Sequence, residues 1–300
     1  MQHIDSPVAQ KLWDGQVPLR ISLHPQDASA LNASNYSCFS QYLSVHRFSY
    51  LPLIASEVRR FFVENTNLGF SGSDAEVWFE CQGIPLKWHY PVGLLCDYQM
   101  ADIDHSAGPL PWHITVHFLN FPADKLIRVS PDSSIPSIRD AFMSMVKEAD
   151  FMRHGTIKKV MGLSKQDQTQ LWDSLVSHSF EEFWHVNSQL LVSENTWPRY
   201  VPLRIYVPGL PVIQEPIPSI DEETDQPYTL RHVLASVLPQ YFKPRADGDA
   251  SRRGSVDSMK RAPDAVALLH GIEAPLGVPL VWLSQNCSYP DNFLHIVIRI

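Results

Sequence analysis

No run of about 18 apolar residues occurs anywhere in this 300-residue sequence, so nothing in it reads as a bilayer-spanning helix. The N-terminal segment MQHIDSPVAQKLWDG lacks the basic stretch and apolar core of a secretory signal. Cysteine is scarce: Cys38, Cys81, Cys96 and Cys287 are the whole complement, and no two have CxxC spacing. Together these absences point to a reducing compartment and buried thiols. The sequons at Asn32, Asn35 and Asn286 then carry no glycan. Positive charge is also short. Lysine and arginine number 24 against 32 acidic residues, for a net charge of −8. That balance argues against a nucleic-acid partner, because phosphate binding needs a basic face. It gives no direct support for contact with anionic lipid, beyond a local basic pair at Lys158 and Lys159.

The motifs of common enzymes are missing as well. There is no GxGxxG and no GxxxxGK[ST]. GFSGS at 69–73 lacks the last glycine of a GxSxG elbow. His113 and His117 are four residues apart, which suits a zinc pair on a helix. On a strand the same spacing separates them by about 13 Å, so they cannot share an ion. His89, between Trp88 and Tyr90, reads as a packed histidine rather than a base. The sequence assigns no catalytic residue, no metal site and no cofactor site.

What is present is core material: 44% of residues are hydrophobic and 11% aromatic, enough for two or three modest domains. The 24 prolines bound many short elements. Residues 5–15 predict a short helix capped by Asp5 or Ser6 and ended by Gly15. Leu19, Ile21 and Leu23 then alternate with polar residues, the period of a half-buried strand. Residues 38–50 predict a second strand region, and Leu53, Ile54, Val58, Phe61 and Phe62 change to helical spacing. Strands follow at 77–81 and through Ile114, Val116 and Phe118, with a short helix at 92–96 between them. This order is that of a β-grasp, or ubiquitin-like, domain.

The chain also repeats itself weakly. VPLRI at 17–21 recurs at 201–205, GIPLKW at 83–88 as GVPLVW at 277–282, and HITVHF at 113–118 as HIVIRI at 295–300. Similar segments in one order, roughly 180–195 residues apart, predict two copies of one fold. Between the copies the pattern is helical. Ser164 with Asp167, and Ser179 with Glu182, have capping-box spacing ahead of apolar helical stripes. Ser137 and Asp140 open a third such stretch, SIRDAFMSMVKEAD at 137–150. Its apolar stripe runs through Ile138, Ala141, Phe142, Met145, Ala149 and Met152. At ~100° per residue Lys147 lies about 180° from Ile138, held out to solvent and within reach of Asp150. Residues 245–263 lack periodicity and read as a mobile surface loop, whose RRGS ahead of Ser255 has the form of a basophilic kinase site.

Longer blocks carry more than periodicity. WFECQGIPLKWHYPVGLLCD at 78–97, LPWHITVHFLNFP at 110–122, FMSMVKEAD at 142–150, and QLWDSL with FEEFW within 170–184 come first. RYVPLRIY at 199–206 and HGIE with PLVWLSQNCSYPDNFLHI within 270–296 complete the set. Together they resemble the autophagy protein 5 family, from about residue 13 onward. The resemblance implies an α+β chain of two ubiquitin-like (β-grasp) domains flanking a helix-rich domain. The divisions expected are an N-terminal helix at 1–16, a first ubiquitin-like domain at 17–122, a helix-rich domain at 131–196 and a second ubiquitin-like domain at 197–300. The loop 245–263 is longer than the connection expected in the family.

By the same resemblance, the lysine of the FMSMVKEAD block, here Lys147, is the isopeptide acceptor for the C-terminal glycine of autophagy protein 12. The chain supplies the acceptor and does not catalyse the attachment. Autophagy protein 7 activates and autophagy protein 10 conjugates. A groove between the ubiquitin-like domains then accepts an amphipathic helix of autophagy protein 16. The assembly is expected to act as a ubiquitin-ligase-like complex for transfer of autophagy protein 8 to phosphatidylethanolamine. The chain is thus expected in the cytoplasm and peripherally at the preautophagosomal structure membrane, reaching the membrane through the assembly. Two other classes compete. A non-conjugated ubiquitin-like adaptor would bind a partner helix without modification of Lys147, and a hydrolase or transferase would show turnover by the isolated chain.

Overall fold

Helix α1 (Ser6–Trp13) leads into strand β1 (Gln16–Leu23), where Val17, Leu19, Ile21 and Leu23 are buried and the residues between them are not. That period of two lays one side-chain row against a core. The computed structural model from which this architecture is read describes residues 6–101, 110–129, 134–191, 198–221, 223–242 and 265–300. The loop 245–263, with Ser255, lies outside the described residues. After helix α2 (Pro25–Ala30), β2 (Ser40–His46) returns antiparallel to β1, with Leu43 opposite Leu19. Helix α3 (Ala55–Thr66) crosses the sheet, β3 (Trp78–Cys81) and β4 (Ile84–Pro85) form a hairpin, and α4 (Val92–Met100) follows. Strand β5 (Trp112–His117) then pairs parallel to β1, with Ile114 opposite Ile21. The sheet order β2-β1-β5-β3-β4 is that of a β-grasp. Val58 and Phe62 of α3 bury against Leu19, Ile21, Ile114 and Val116. Cys38 is exposed, unlike the expected buried thiol, because it ends a short 3-10 turn ahead of β2; the other three cysteines are buried.

Four helices follow: α5 (Ser134–His154), α6 (Lys158–Gly162), α7 (Lys165–Val176) and α8 (Phe180–Leu191). The capping box at α7 is formed. Asp167 N–H donates to Ser164 Oγ at 3.0 Å, and Asp167 Oδ2 accepts from Ser164 N–H at 3.2 Å. The one expected at Ser137 and Asp140 is not the helix entry, because α5 begins three residues earlier at Ser134. Pro136 is tolerated inside the first turn, where N–H groups have no intrahelical acceptor to lose.

The second β-grasp unit is assembled from shorter pieces: β6 (Tyr200–Val201), β7 (Leu203–Tyr206), β8 (Ile217–Pro218), β9 (Ile220–Asp221) and β10 (Gln226–Pro227). Helices α9 (Leu230–Val237) and α10 (Pro239–Phe242) follow. Strands β11 (Val266–Leu269) and β12 (Ile272–Glu273), helix α11 (Leu280–Asn286) and strand β13 (Leu294–Arg299) close it. Its sheet order is β12-β11-β13-β7, with β8 pairing the short β6 ahead of Pro202. The duplication extends to register. Leu203 and Ile205 face Leu294 and Ile296, as Leu19 and Ile21 face Trp112 and Ile114. One of the three sequence matches is misaligned, however. GVPLVW at 277–282 runs into α11 and does not form a hairpin turn. The counterpart of the turn at Gln82 and Gly83 is His270 and Gly271, with φ of 52°, 78°, 53° and 79° in that order. Two successive positive φ values are what a tight hairpin needs to match strand twist.

Each β-grasp unit has its own core, and a third apolar cluster joins them to the helices. It draws Trp13 from α1, Trp88 and Leu94 from the first unit, Ile138, Phe142 and Val146 from α5, and Tyr289 and Val297 from the second unit. Every residue from 283 to 298 is buried, so α11 and β13 lie inside the molecule.

Candidate functional site

Lys147 sits in the middle of α5, and α5 is held on two sides. On one, Ile138, Phe142 and Val146 pack in the central cluster beside Trp172 and Phe183. On the other, Glu148 Oε1 lies 3.0 Å from Arg204 Nη2 and accepts from Gln214 Nε2 at 2.8 Å. Arg204 also donates to Met145 Sδ at 3.6 Å. Two supports instead of one widen the buried arc beyond the expected stripe, so Met143, Asp150 and Arg153 are buried too. Lys147 therefore stands at the rim of the arc, half-buried, rather than pointing away from it. Its ammonium has no ion pair or side-chain hydrogen bond among the described residues.

The expected Lys147–Asp150 pair does not form. Asp150 turns inward: its Oδ2 accepts from Val160 N–H at 3.1 Å and its Oδ1 is 3.8 Å from His154 Nε2. One turn on, Arg153 is only 2% exposed and donates to Ser284 Oγ at 2.9 Å and to the Asn292 carbonyl at 3.3 Å. Burial pulls its guanidinium down to about 10, against the raising effect of Asp150. Its carbonyl accepts from Arg199 N–H at 2.9 Å, tying α5 to the start of the second β-grasp unit. These bonds fix the C-terminal half of the Lys147 helix, and the sequence reading named none of their partners.

A groove of about 170 Å³ opens where the two β-grasp units meet. Pro85, Leu95 and Tyr98 line one wall and Tyr206, Leu210 and Val212 the other. Ile84, Leu210 and Val212 are exposed large apolar residues at its mouth. Elsewhere between the units, the Arg47 guanidinium pairs with Asp97, donates to the Gly93 carbonyl at 3.2 Å and approaches Gly271 of the second unit. Burial raises the Asp97 carboxyl while Arg47 opposes the rise. The groove walls come from residues more than 100 apart in sequence, and only pairing of the two copies brings them together.

Histidines in this molecule are mostly packed. His89 is pushed down to about 4 by burial, with Lys87 and Arg204 adding to the effect, as suits a neutral buried ring. His113 bonds Ser22 Oγ at 3.0 Å on an exposed stretch of β5. Among the described residues one group could hold a metal ion: His24, Asp27 and His117, whose donor atoms lie within 4.8 Å of one another. His24 and Asp27 are about ninety residues from His117, and no sequence spacing signals their meeting.

Comparison with known proteins agrees with this architecture. Residues 12–118 match the family model described as the UblA domain of autophagy protein ATG5. Residues 135–193 match its alpha-helical bundle region and 200–298 its UblB domain. Autophagy protein 5 of Phaeosphaeria nodorum is 33% identical, covering 99% of this chain and 98% of that protein. Autophagy protein 5 of Aspergillus oryzae is 31% identical over 97% of this chain and 96% of that protein. The crystal structure of Kluyveromyces marxianus Atg5 superposes with a TM-score of 0.75 at 20% identity, covering 97% of this chain and 99% of that one. Two ubiquitin-like domains flanking a helical bundle, in one order and over nearly the whole length, make this chain a member of the autophagy protein 5 family, with a role in autophagy.

Proposed function

We propose that the chain is a conjugation acceptor and scaffold, in which Lys147 forms an isopeptide bond with the C-terminal glycine of autophagy protein 12. The amine must be neutral to attack. An ordinary lysine has a pKa of ~10.4, so the conjugating enzyme, autophagy protein 10, has to assist its deprotonation. Lys147 Nζ then attacks the carbonyl of the enzyme–glycine thioester. The C–S bond breaks, the cysteine leaves as thiolate, and the amine's second proton passes to it or to water. The observation that carries this reading is the combination at Lys147. Its ammonium has no ion pair among the described residues, and its backbone is fixed by Glu148, Asp150 and Arg153 on the same helix. An acceptor so held loses little orientational freedom on meeting a bulky enzyme.

The groove between the ubiquitin-like domains suits the second half of the proposal. It is apolar, walled on both sides and open at the surface, as an amphipathic helix of autophagy protein 16 requires. The resulting assembly acts as a ubiquitin-ligase-like complex in lipidation of autophagy protein 8, in the cytoplasm and peripherally at the preautophagosomal structure membrane. No helix among the described residues is long and apolar enough to cross a membrane. The test is gel mobility under denaturing conditions, comparing wild type with Lys147→Arg in the presence of purified activating and conjugating enzymes. A heavier species in the wild type alone is the expected result. The same species from the mutant would move the acceptor to another lysine. Its absence from both would favour the non-conjugated adaptor.

A further inference from the structure

The outer face of the first sheet carries an unexpected buried patch. Residues on this face alternate with the core row, so they should be polar and wet. At one end they are not. His117 of β5 is 5% exposed, stacked on one side by Trp78 at 3.8 Å between ring centroids and on the other by His24 at 4.2 Å. Asp27, 2% exposed, closes the third side from α2. Its Oδ2 accepts from Phe118 N–H at 2.6 Å and Leu119 N–H at 3.0 Å. Oδ1 accepts no hydrogen bond among the described residues and lies 3.7 Å from His24 Nδ1. His117 Nδ1 is 3.9 Å from Asp27 Oδ2, and its Nε2 is 3.4 Å from Glu80 Oε2. His24 Nδ1 and His117 Nε2 are buried without a hydrogen-bond partner. The unsatisfied His24 Nδ1 beside the free Asp27 Oδ1 costs stability unless something completes them, whereas His117 Nε2 faces Glu80.

We propose that His24, Asp27 and His117 form a divalent transition-metal site, zinc by its ligand chemistry, with Glu80 as the outer partner that orients His117. Two imidazoles and one carboxylate are a set that Zn²⁺ takes at ~2.0–2.2 Å, and three protein ligands leave a fourth position for water. The donor atoms, now within 4.8 Å of one another, close on the ion by a modest contraction. His24 supplies the movement. Its ring is partly exposed, and it must tilt out of its stack, because two rings inclined by only 27° cannot aim in-plane lone pairs at one point. The neutral ring is the form of histidine that ligates. With the ion on Nδ1, His117 Nε2–H becomes a stronger donor and Glu80 accepts it, the carboxylate–histidine–metal arrangement. The ion would join the end of β1 to the end of β5.

The test uses the full chain, stripped with chelator and titrated with Zn²⁺ by calorimetry, with Co²⁺ absorption as a report of geometry. Wild type should bind one ion and give the intense visible bands of four-coordinate Co²⁺. His24→Ala changes a partly exposed ring outside the apolar cores, so the fold persists; it should abolish those bands. Glu80→Gln leaves the ligands in place and should weaken binding by about 10–100-fold. His185→Ala, on an exposed face of α8, is the control and should change nothing. Absence of binding by wild type, or equal binding by wild type and His24→Ala, overturns the proposal.

Discussion

A buried arginine decides how α5 is held. Arg153 reaches from α5 into the second β-grasp unit, where Ser284 and the Asn292 carbonyl receive it. Truncating it leaves the buried Asp150 without the nearby positive charge and the Asn292 carbonyl without a donor. Arg153→Ala should therefore lower unfolding free energy by about 3–5 kcal/mol in urea titration. A loss under 1 kcal/mol would mean that water replaces the guanidinium. Arg153 also shows the limit of reading faces from sequence. The apolar spacing of Ile138, Phe142 and Ala149 fixed one direction of burial correctly. Asp150, read as a surface partner for Lys147, turns inward to the Val160 N–H, and Arg153, which no periodicity singles out, is the residue that crosses to the neighbouring unit. Lys147 is singled out by its block of neighbours, and its angle on the helix, read as opposite the stripe, differs from the half-buried rim position it takes.

At the scale of elements, the two hairpin turns form a natural experiment. Gly83 and Gly271 hold the same backbone, with φ of 78° and 79°. A Cβ at Gly83 meets nothing within 4 Å, whereas at Gly271 it meets Asp97 Oδ1 at 3.1 Å and Arg47 Nη1 at 3.2 Å. Gly83→Ala should cost about 1 kcal/mol, the left-handed penalty less the entropy gained in the unfolded chain. Gly271→Ala should cost measurably more, since it also pushes on the Arg47–Asp97 bridge; equal midpoints in denaturant would show that the bridge yields freely. The groove gives a second element-level prediction. Val212→Asp puts a charge at its exposed mouth and should reduce capture of a partner-helix peptide at least tenfold by fluorescence anisotropy, with the fold unchanged by circular dichroism. Most elements were legible in order and type because their periods are clean, as with β1, and Ser164 because its cap is local. The hairpin at His270 was missed because GVPLVW resembles GIPLKW in letters while standing in a different element. Positive φ, invisible in the letters, is what the two copies share.

For the whole molecule, histidine packing sets a pH dependence. His46, at the end of β2, stacks on His178, between α7 and α8, with ring centroids 3.2 Å apart. Burial lowers both, His178 to about 4, while Asp14 pulls the other way. His270, deep between the units, is lowered to about 3, again by burial. Each ring is neutral in the folded chain and takes up a proton near 6.5 when unfolded. Stability from this source is complete above about pH 6.5 and declines as pH falls toward 4. The urea midpoint should drop between pH 7.5 and 5, and His178→Asn should flatten that slope; a wild-type midpoint independent of pH would refute the assignment.

The burial of residues 283–298 bears on how such a chain comes apart. Three domains in a row ordinarily melt in steps, each around its own centre. Here the slowest amide protons should lie in β13 and α11, at the seam, because no surface fluctuation reaches them without separating the other two units. Exchange by sub-global opening then has no route at the seam, and heating should give a single calorimetric transition. Loosening any one unit would be felt at once by the helix that carries Lys147.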